Sequence, residues 1–462
     1  MLSQRAQATN AWFLKQFARP LKRQGSNQAS RIDLATAENW LIRPDLLELL
    51  RKNCWDHLEQ KHLSYAGGLG GAPDLLAALA KFYNHFFSPI IPVEPTHLVV
   101  GPGCSAILDS MINDICDHGD GLLVAAPMWG SFEVSAVLRN GVKIIPVYVP
   151  THDSASAQEV VAAYRAAAEQ AACTVRGILF CNPHNPSGHI SNVEVIDALL
   201  QYSEQADLHF ISDEIYALST FGTLETAKDA YGETSHSAST EFVSVLQRDL
   251  MALGVQAWRV HQIYSISKDF GSSGLRLGCL VTQDNKELRM SQAILNNAKI
   301  SNVASVMVTP LLNDIPKLES LVYTNKRRLR KAAQTAVLFA EFHSLDYFVP
   351  ASGLYIWVRL SSRCSTWDYE EDLVRRCASK GVLVGSGADY AEARPGWFRV
   401  GFAVPEPEFL TGLQRIEEAI GYTSRFRYTL KSKPVSSWEQ WLKPALLSVR
   451  ETVGNLVVMR FI

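Results

Sequence analysis

The stretch Val260-His261-Gln262-Ile263-Tyr264-Ser265-Ile266-Ser267-Lys268-Asp269-Phe270-Gly271, running on through Ser272-Ser273-Gly274-Leu275 to Arg276, decides how this chain is read. Val260–Ile263 reads as a short buried strand. It ends in small hydroxyl residues, one lysine, and a glycine- and serine-rich turn that carries one arginine. A lysine at the end of a buried strand sits where its amine loses solvation, which favours the neutral, nucleophilic form. Lysines are as a rule solvated surface charges. What sets Lys268 apart is its company, with Ser265 just before it and Arg276 just after.

The remaining composition narrows the class. A chain of 462 residues, 47% hydrophobic, is long enough for two domains or one large enzyme subunit. A formal net charge of -2 with no long run of one sign argues against nucleic acid as a partner. The 12 histidines are scattered without a helical ligand spacing, so no metal site is expected. Eight cysteines without C-x-x-C, among them Cys181 and Cys279 inside apolar runs, read as buried thiols of a reducing compartment. No segment has the ~18 uncharged apolar residues of a membrane span. The expectation is a cytoplasmic protein with no membrane association.

From Leu98 onward, short apolar runs alternate with helical or loop stretches. The runs are Leu98–Val100, Leu122–Ala125, Lys143–Val149, Gly177–Cys181, Leu208–Ile211, His261–Tyr264 and Leu277–Val281. This pattern predicts an α/β fold with a mostly parallel seven-stranded sheet covered on both faces. Ligands on such sheets gather at the carboxyl ends of strands, and the chemistry-bearing residues fall there. Gly101-Pro102-Gly103-Cys104-Ser105-Ala106 follows the first strand and opens a helix, a place for an anion. It formally matches a dinucleotide fingerprint, yet the next strand ends Ala125-Ala126-Pro127-Met128-Trp129 without the acid that a ribose needs. Asn182-Pro183-His184-Asn185-Pro186-Ser187-Gly188 is a turn under any reading. Asp213, in Ile211-Ser212-Asp213-Glu214-Ile215-Tyr216, is either a helix cap or a site residue, and Trp129 is either core or a cofactor wall. Tyr65-Ala66-Gly67-Gly68-Leu69-Gly70-Gly71-Ala72-Pro73 lacks Gly-Lys-Ser/Thr and is no Walker loop; Asp74 then reads as the N-cap of a helix over Leu75–Phe87. Further on, Gly353–Val358 and Val382–Val384 suggest antiparallel strands, and Arg399 sits in the apolar run Phe398–Ala403.

Taken in order, these motifs resemble those of fold-type I pyridoxal phosphate enzymes of the class I/II aminotransferase family. More narrowly, they resemble its 1-aminocyclopropane-1-carboxylate synthase-like branch. The likeness spans about Ile32 to Ile420 and rests on S-x-S-K with L-R-L-G, N-P-x-N-P-x-G, and the Ala37-Glu38-Asn39, Phe242–Val245 and Gly396–Ala403 segments. It implies pyridoxal 5'-phosphate held by Lys268 as a Schiff base. It implies a phosphate anchored by Cys104, Ser105, Ser265, Arg276 and Tyr65, the last reaching into the neighbouring subunit of a homodimer with shared active sites. Trp129 would stack on the ring, Asp213 pair with its nitrogen, and Asn185 and Tyr216 hydrogen-bond its phenolic oxygen. Arg399 would grip the α-carboxylate of an amino-acid substrate, with Glu38 and Asn39 at the substrate mouth, although Ala-Glu-Asn alone could equally start a helix. The implied domains are an N-terminal arm and part of a small domain over 1–60, a large cofactor-binding domain over 61–325, a small domain over 326–420, and an extension over 421–462 packed on it. Residues 222–257 read as an external helix and loop.

The same residues serve two outcomes. The branch resemblance points to a lyase cleaving a C–S bond of a sulfur-containing amino acid by β- or γ-elimination; the Tyr65–Pro73 turn departs from the branch and argues against cyclopropane synthesis itself. The alternative is an aminotransferase, with no second arginine assignable to a dicarboxylate side chain. A non-catalytic cofactor-binding regulator is the outsider, against which stands the absence of any basic patch or appended DNA-binding domain.

Overall fold

Alternation within each strand assigns its side chains to two different apolar layers. Leu123, Ile178, Phe210, Tyr264 and Cys279 face one core, while Leu122, Leu179, Ile211, Ile263 and Leu280 face the other. Period-2 alternation with both faces apolar is the signature of a sheet buried between helices. The computed structural model describes residues 2–16, 31–54, 57–65, 67–149, 155–222, 224 and 241–427. The chain divides after Arg425 into two units, and every element named below belongs to the first.

A short strand β1 (Ile32–Asp33) precedes the main sheet. The sheet consists of β2 (Leu98–Gly101), β3 (Gly121–Ala126), β4 (Lys143–Tyr148), β5 (Val175–Cys181), β6 (His209–Asp213), β7 (Val260–Ser265) and β8 (Gly278–Val281). These are the seven runs expected from the sequence. Their order is β2-β8-β7-β6-β5-β3-β4, and β8 alone runs against its neighbours. The helices Cys104–Ile115, Ala157–Glu169 and Val193–Gln205 each lie between consecutive strands of this sheet. The 28-residue helix Ile315–Phe342 leads out of it, and the expected domain boundary at 325/326 falls inside that helix. Beyond it, β9 (Tyr347–Phe348), β10 (Tyr355–Arg359), β12 (Gly385–Ser386) and β13 (Trp397–Gly401) form an antiparallel sheet in the order β12-β13-β10-β9.

Three expectations are corrected. Val382–Leu383, here β11, pairs parallel with β1 and takes no part in the antiparallel sheet. The N-terminal segment reaches across to it, with Ile32 N–H donating to Gly381 O at 2.9 Å and Leu34 N–H to Leu383 O at 3.0 Å. Asp74 is not an N-cap. The helix begins at Pro73 with Ala72 at the cap; proline's fixed φ starts the turn, and the Asp74 charge sits in the first turn, where the helix dipole favours it. The described part of the 222–257 insertion, residues 222, 224 and 241–257, holds no α-helix; its stretch 249–256 is largely exposed, with Met251 at 91%, while Ser244–Leu246 is buried. Ser244 is fully buried because its hydroxyl (2.6 Å) and the Val245 N–H (2.8 Å) both donate to the buried carboxylate of Glu214. The remainder of that insertion and the extension from 428 lie outside the described residues.

Candidate active site

The carboxyl ends of β5, β6 and β7 open onto one cavity of about 540 Å³. Nine residues singled out in the sequence line it: Cys104, Ser105, Trp129, Asn185, Asp213, Tyr216, Lys268, Arg276 and Arg399. They come from six separate stretches of chain, most of them just past a strand end or at a helix start, with Arg399 within the strand Trp397–Gly401.

Lys268 stands on a single helical turn, Ile266–Asp269, capped by the Ser265 hydroxyl, which accepts from Ser267 N–H at 3.2 Å. Its Nζ donates to Ala37 O at 2.6 Å. Burial first and Arg399 next, with Arg276 and Arg43 adding and Cys104 opposing, bring its pKa down to about 8. Across the cavity Asp213 ends β6. Its carboxylate accepts only the Ile215 N–H, at 3.3 Å, and burial raises its pKa to about 7 against the pull of that bond and of Lys268. Such a carboxyl suits a cationic N–H brought by a ligand.

Arg276 takes a left-handed backbone (φ 52) and donates to Pro102 O at 2.7 Å and Ser273 O at 2.9 Å. Its guanidinium covers Gly103, where a Cβ would lie 2.7 Å from Nη2, so only glycine fits beneath it. The helix starting at Cys104 has no side-chain cap. Its uncapped first turn, Arg276 and the hydroxyls of Ser105, Ser267 and Ser273 line the same cavity, a donor set for a phosphate.

Arg399 leaves β13 buried. Its Nη1 donates to Asn185 Oδ1 at 3.0 Å and its Nη2 to Ala35 O at 2.5 Å, and the guanidinium lies 4.8 Å from the Tyr355 ring and 5.0 Å from that of Tyr390. Its Nε has no protein partner. A buried arginine with spare donors is matched by a ligand carboxylate. Tyr216 packs edge-on against Tyr355 at 5.5 Å, and burial pushes its hydroxyl pKa up.

Four expected residues do not line the cavity. Ser265 turns inward and donates to Leu277 O at 2.7 Å, leaving Ser267, 2.7 Å from it, as the hydroxyl on the wall. Ser265 is the cap of the helical turn, and the change from strand to turn there brings Ser267, not Ser265, to the wall. Glu38 accepts from Ser273 Oγ at 2.7 Å and pairs with Arg43. Asn39 is fully buried and donates to Asn325 Oδ1 at 2.8 Å and to the Lys268 carbonyl at 3.2 Å, bracing the lysine from behind. The segment holding Glu38 and Asn39 is not a helix start; the helix begins at Arg43. Tyr65 is 88% exposed and lies outside the cavity of its own chain. The cavity also takes Trp12, Glu133, Asp389 and Tyr390, none singled out from the sequence.

Residues 33–416 match the family model for aminotransferase class I and II. The chain belongs to that family. It is 59% identical to "Aminotransferase verI" of Clonostachys rogersoniana over 92% of this chain and 95% of that protein. It is 26% identical to the 1-aminocyclopropane-1-carboxylate synthase-like protein 1 of Mus musculus, over 85% and 77% of the two chains. In fold it is similar to the Thermus thermophilus aspartate aminotransferase double mutant 1, with a TM-score of 0.71 at 22% identity, covering 91% of this chain and 99% of that one. As a class I/II aminotransferase family member, the chain is an enzyme that uses pyridoxal phosphate. The residues present fit that cofactor: an under-satisfied buried carboxyl for its ring nitrogen, a lysine with a depressed pKa for its aldehyde, and an uncapped helix start with an arginine for its phosphate.

Proposed function

We propose that this family member acts at the α-carbon of an L-amino acid and cleaves a C–S bond by β- or γ-elimination, as a cytoplasmic homodimer in which Tyr65 reaches the partner's phosphate site. The observation that carries the reading is the disposition of charge around Lys268. Its amine, with a pKa near 8, lies between Asp213, which would hold the ring-nitrogen proton, and Arg399, which would hold the α-carboxylate. When bound, pyridoxal phosphate supplies the electron sink for the pair released at the α-carbon. Lys268 Nζ takes the α-proton. Because Asn185 Oδ1 is occupied by Arg399, its amide N–H groups are left to donate to the phenolic oxygen beside Tyr216. Cys104 and Ser105, Ser267 and Arg276 hold the phosphate, with Ser265 supporting Ser267, and Trp129 covers the ring. Glu38 and Asn39 act through Ser273 and the Lys268 backbone instead of touching substrate.

In the β-elimination, the Cα–H pair forms the new Cα–Cβ double bond as the C–S pair leaves on sulfur; the γ case needs a Cβ proton removed as well. The thiolate takes a proton, and water releases ammonia and a 2-oxo acid. Among the described residues, the three cations lining the cavity are all engaged in these tasks, and none remains for the second carboxylate of a dicarboxylic oxo-acid acceptor. An aminotransferase is the second reading, favoured by the name of the 59% identical relative. The test is product formed per active site from sulfur-containing amino acids without any 2-oxo acid. Many equivalents of thiol, ammonia and oxo acid are expected; a halt after one equivalent of oxo acid would make it a transaminase.

A further inference from the structure

The outer part of the cavity is built from three segments distant in sequence. Helix Gln4–Gln16 contributes Trp12, whose indole Nε1 donates to Glu133 Oε2 at 3.0 Å. The stretch after β3 contributes Trp129, Phe132 and Glu133, with the Trp129 and Phe132 rings edge to face at 5.3 Å. The turn Gly387–Tyr390 contributes Asp389. The second and third segments are locked together. Met128 N–H donates to Tyr390 O at 2.7 Å, and Gly130 passes so close to Asp389 that a Cβ there would lie 1.9 Å from the Asp389 carbonyl oxygen.

Charge is sorted along this cavity. Its cations, among the described residues, are Lys268, Arg276 and Arg399, all with tasks assigned above. Its anions besides Asp213 are Glu133 and Asp389, close enough to repel one another. The one N–H of Trp12 is spent on Glu133, and its side chain contributes an aromatic wall to the cavity. The second Glu133 oxygen and the acceptor capacity of Asp389 not used by the Ser386 N–H remain. The total space falls within the range of sites that enclose drug-sized ligands; the cofactor would take the part beside Lys268, Asp213 and Arg276, leaving the part lined by Trp12, Glu133 and Asp389 to the substrate side chain.

We infer that Trp12, Glu133 and Asp389 make this outer compartment selective for an amino acid whose side chain ends in a bulky, uncharged group bearing N–H donors, and that they reject one ending in a carboxylate. The selection works by negative charge against the wrong substrate as much as by contact with the right one. It rests on the reading that the cavity takes an L-amino acid, and is independent of which bond is then broken.

The test uses the cofactor-loaded enzyme and α-methyl amino acids, which have no α-proton to lose, titrated through the absorbance of the bound cofactor. α-Methyltryptophan should bind at least about tenfold more tightly than α-methylglutamate, the scale of a like-charge penalty in a partly screened site. The variants Glu133→Gln and Asp389→Asn, singly and together, should narrow that ratio. Trp12→Ala should weaken α-methyltryptophan several-fold more than it weakens 2-aminoisobutyrate, with Trp12→Phe intermediate. Equal or tighter binding of α-methylglutamate, or a ratio unmoved in the double variant, would overturn the inference. If no analogue perturbs the spectrum, the amino-acid reading falls with it. If the ratio holds while no thiol is released from any sulfur amino acid, only the elimination is lost.

Discussion

The depressed pKa of Lys268 has a consequence that can be measured on the cofactor-free protein. Capture of pyridoxal phosphate requires the neutral amine. With a pKa of about 8, roughly one molecule in four carries it at pH 7.5, against roughly one in a thousand for a lysine at the ordinary value of 10.5, a gain of a few hundredfold. The sign follows from protonation: the capture rate rises with pH and levels off once the pH passes about 8, where a solvated lysine would still be climbing. Stopped-flow absorbance of apoprotein mixed with cofactor across pH 6 to 10 reads this directly. Burial is the main cause of the depression and Arg399 the next, so Arg399→Gln should move the midpoint upward while leaving the plateau in place. A wild-type rate that keeps rising tenfold per pH unit through pH 9, or a midpoint unchanged in the variant, would refute the reasoning.

Two further expectations concern the scaffold. Gly130→Ala drives a Cβ into the Asp389 carbonyl oxygen, a backbone atom that cannot swing aside, and should lower stability by about 1–3 kcal/mol in urea unfolding; an unchanged midpoint would mean the two segments separate freely. Asp269, next to Lys268, accepts from Leu218 N–H (2.9 Å), Ser219 Oγ (2.5 Å) and Tyr264 OH (3.0 Å). Asp269→Ala strands three buried donors at about 1–3 kcal/mol each and should prevent stable folding, whereas Asp269→Asn, which keeps an acceptor oxygen, should fold with a smaller loss.

Legibility in the sequence followed the range of the interactions. The seven strands were readable because Leu122–Ala125, Gly177–Cys181 and their counterparts carry alternation and β-rich composition within a few residues. Lys268, Asp213, Asn185 and Arg399 were readable because each ends or lies on such a run within a motif that resembles the family's; strand position alone would have left them open. Trp12 was not, since its partner Glu133 lies 121 positions away and nothing near either residue marks the pairing. The same holds for β1, whose partner β11 is brought to it only by the completed fold. Ser265 and Asn39 show a subtler limit. Their segments were placed at the site, but which side chain faces the cavity depends on where a strand gives way to a turn, and on Asn325 waiting behind.

The N-terminal strap from Ile32 to Trp40 has an implication for how the enzyme is made. Its carbonyls at Ala35 and Ala37 receive Arg399 and Lys268, and its backbone is tied to Gly381, Leu383, Gly401 and Ala403. A ribosome that adds about 5–20 residues per second needs roughly 20–70 s to travel from the strap to its last tether. Until the region near residue 400 is made, the strap can reach Lys268 and Asn325 but lacks its backbone tethers at Gly381, Leu383, Gly401 and Ala403. Closing the strap is therefore a late step that joins an early-made segment to a late-made one, and a stalled or truncated product lacking the region near residue 400 leaves Lys268 in a cavity whose strap is untethered on that side.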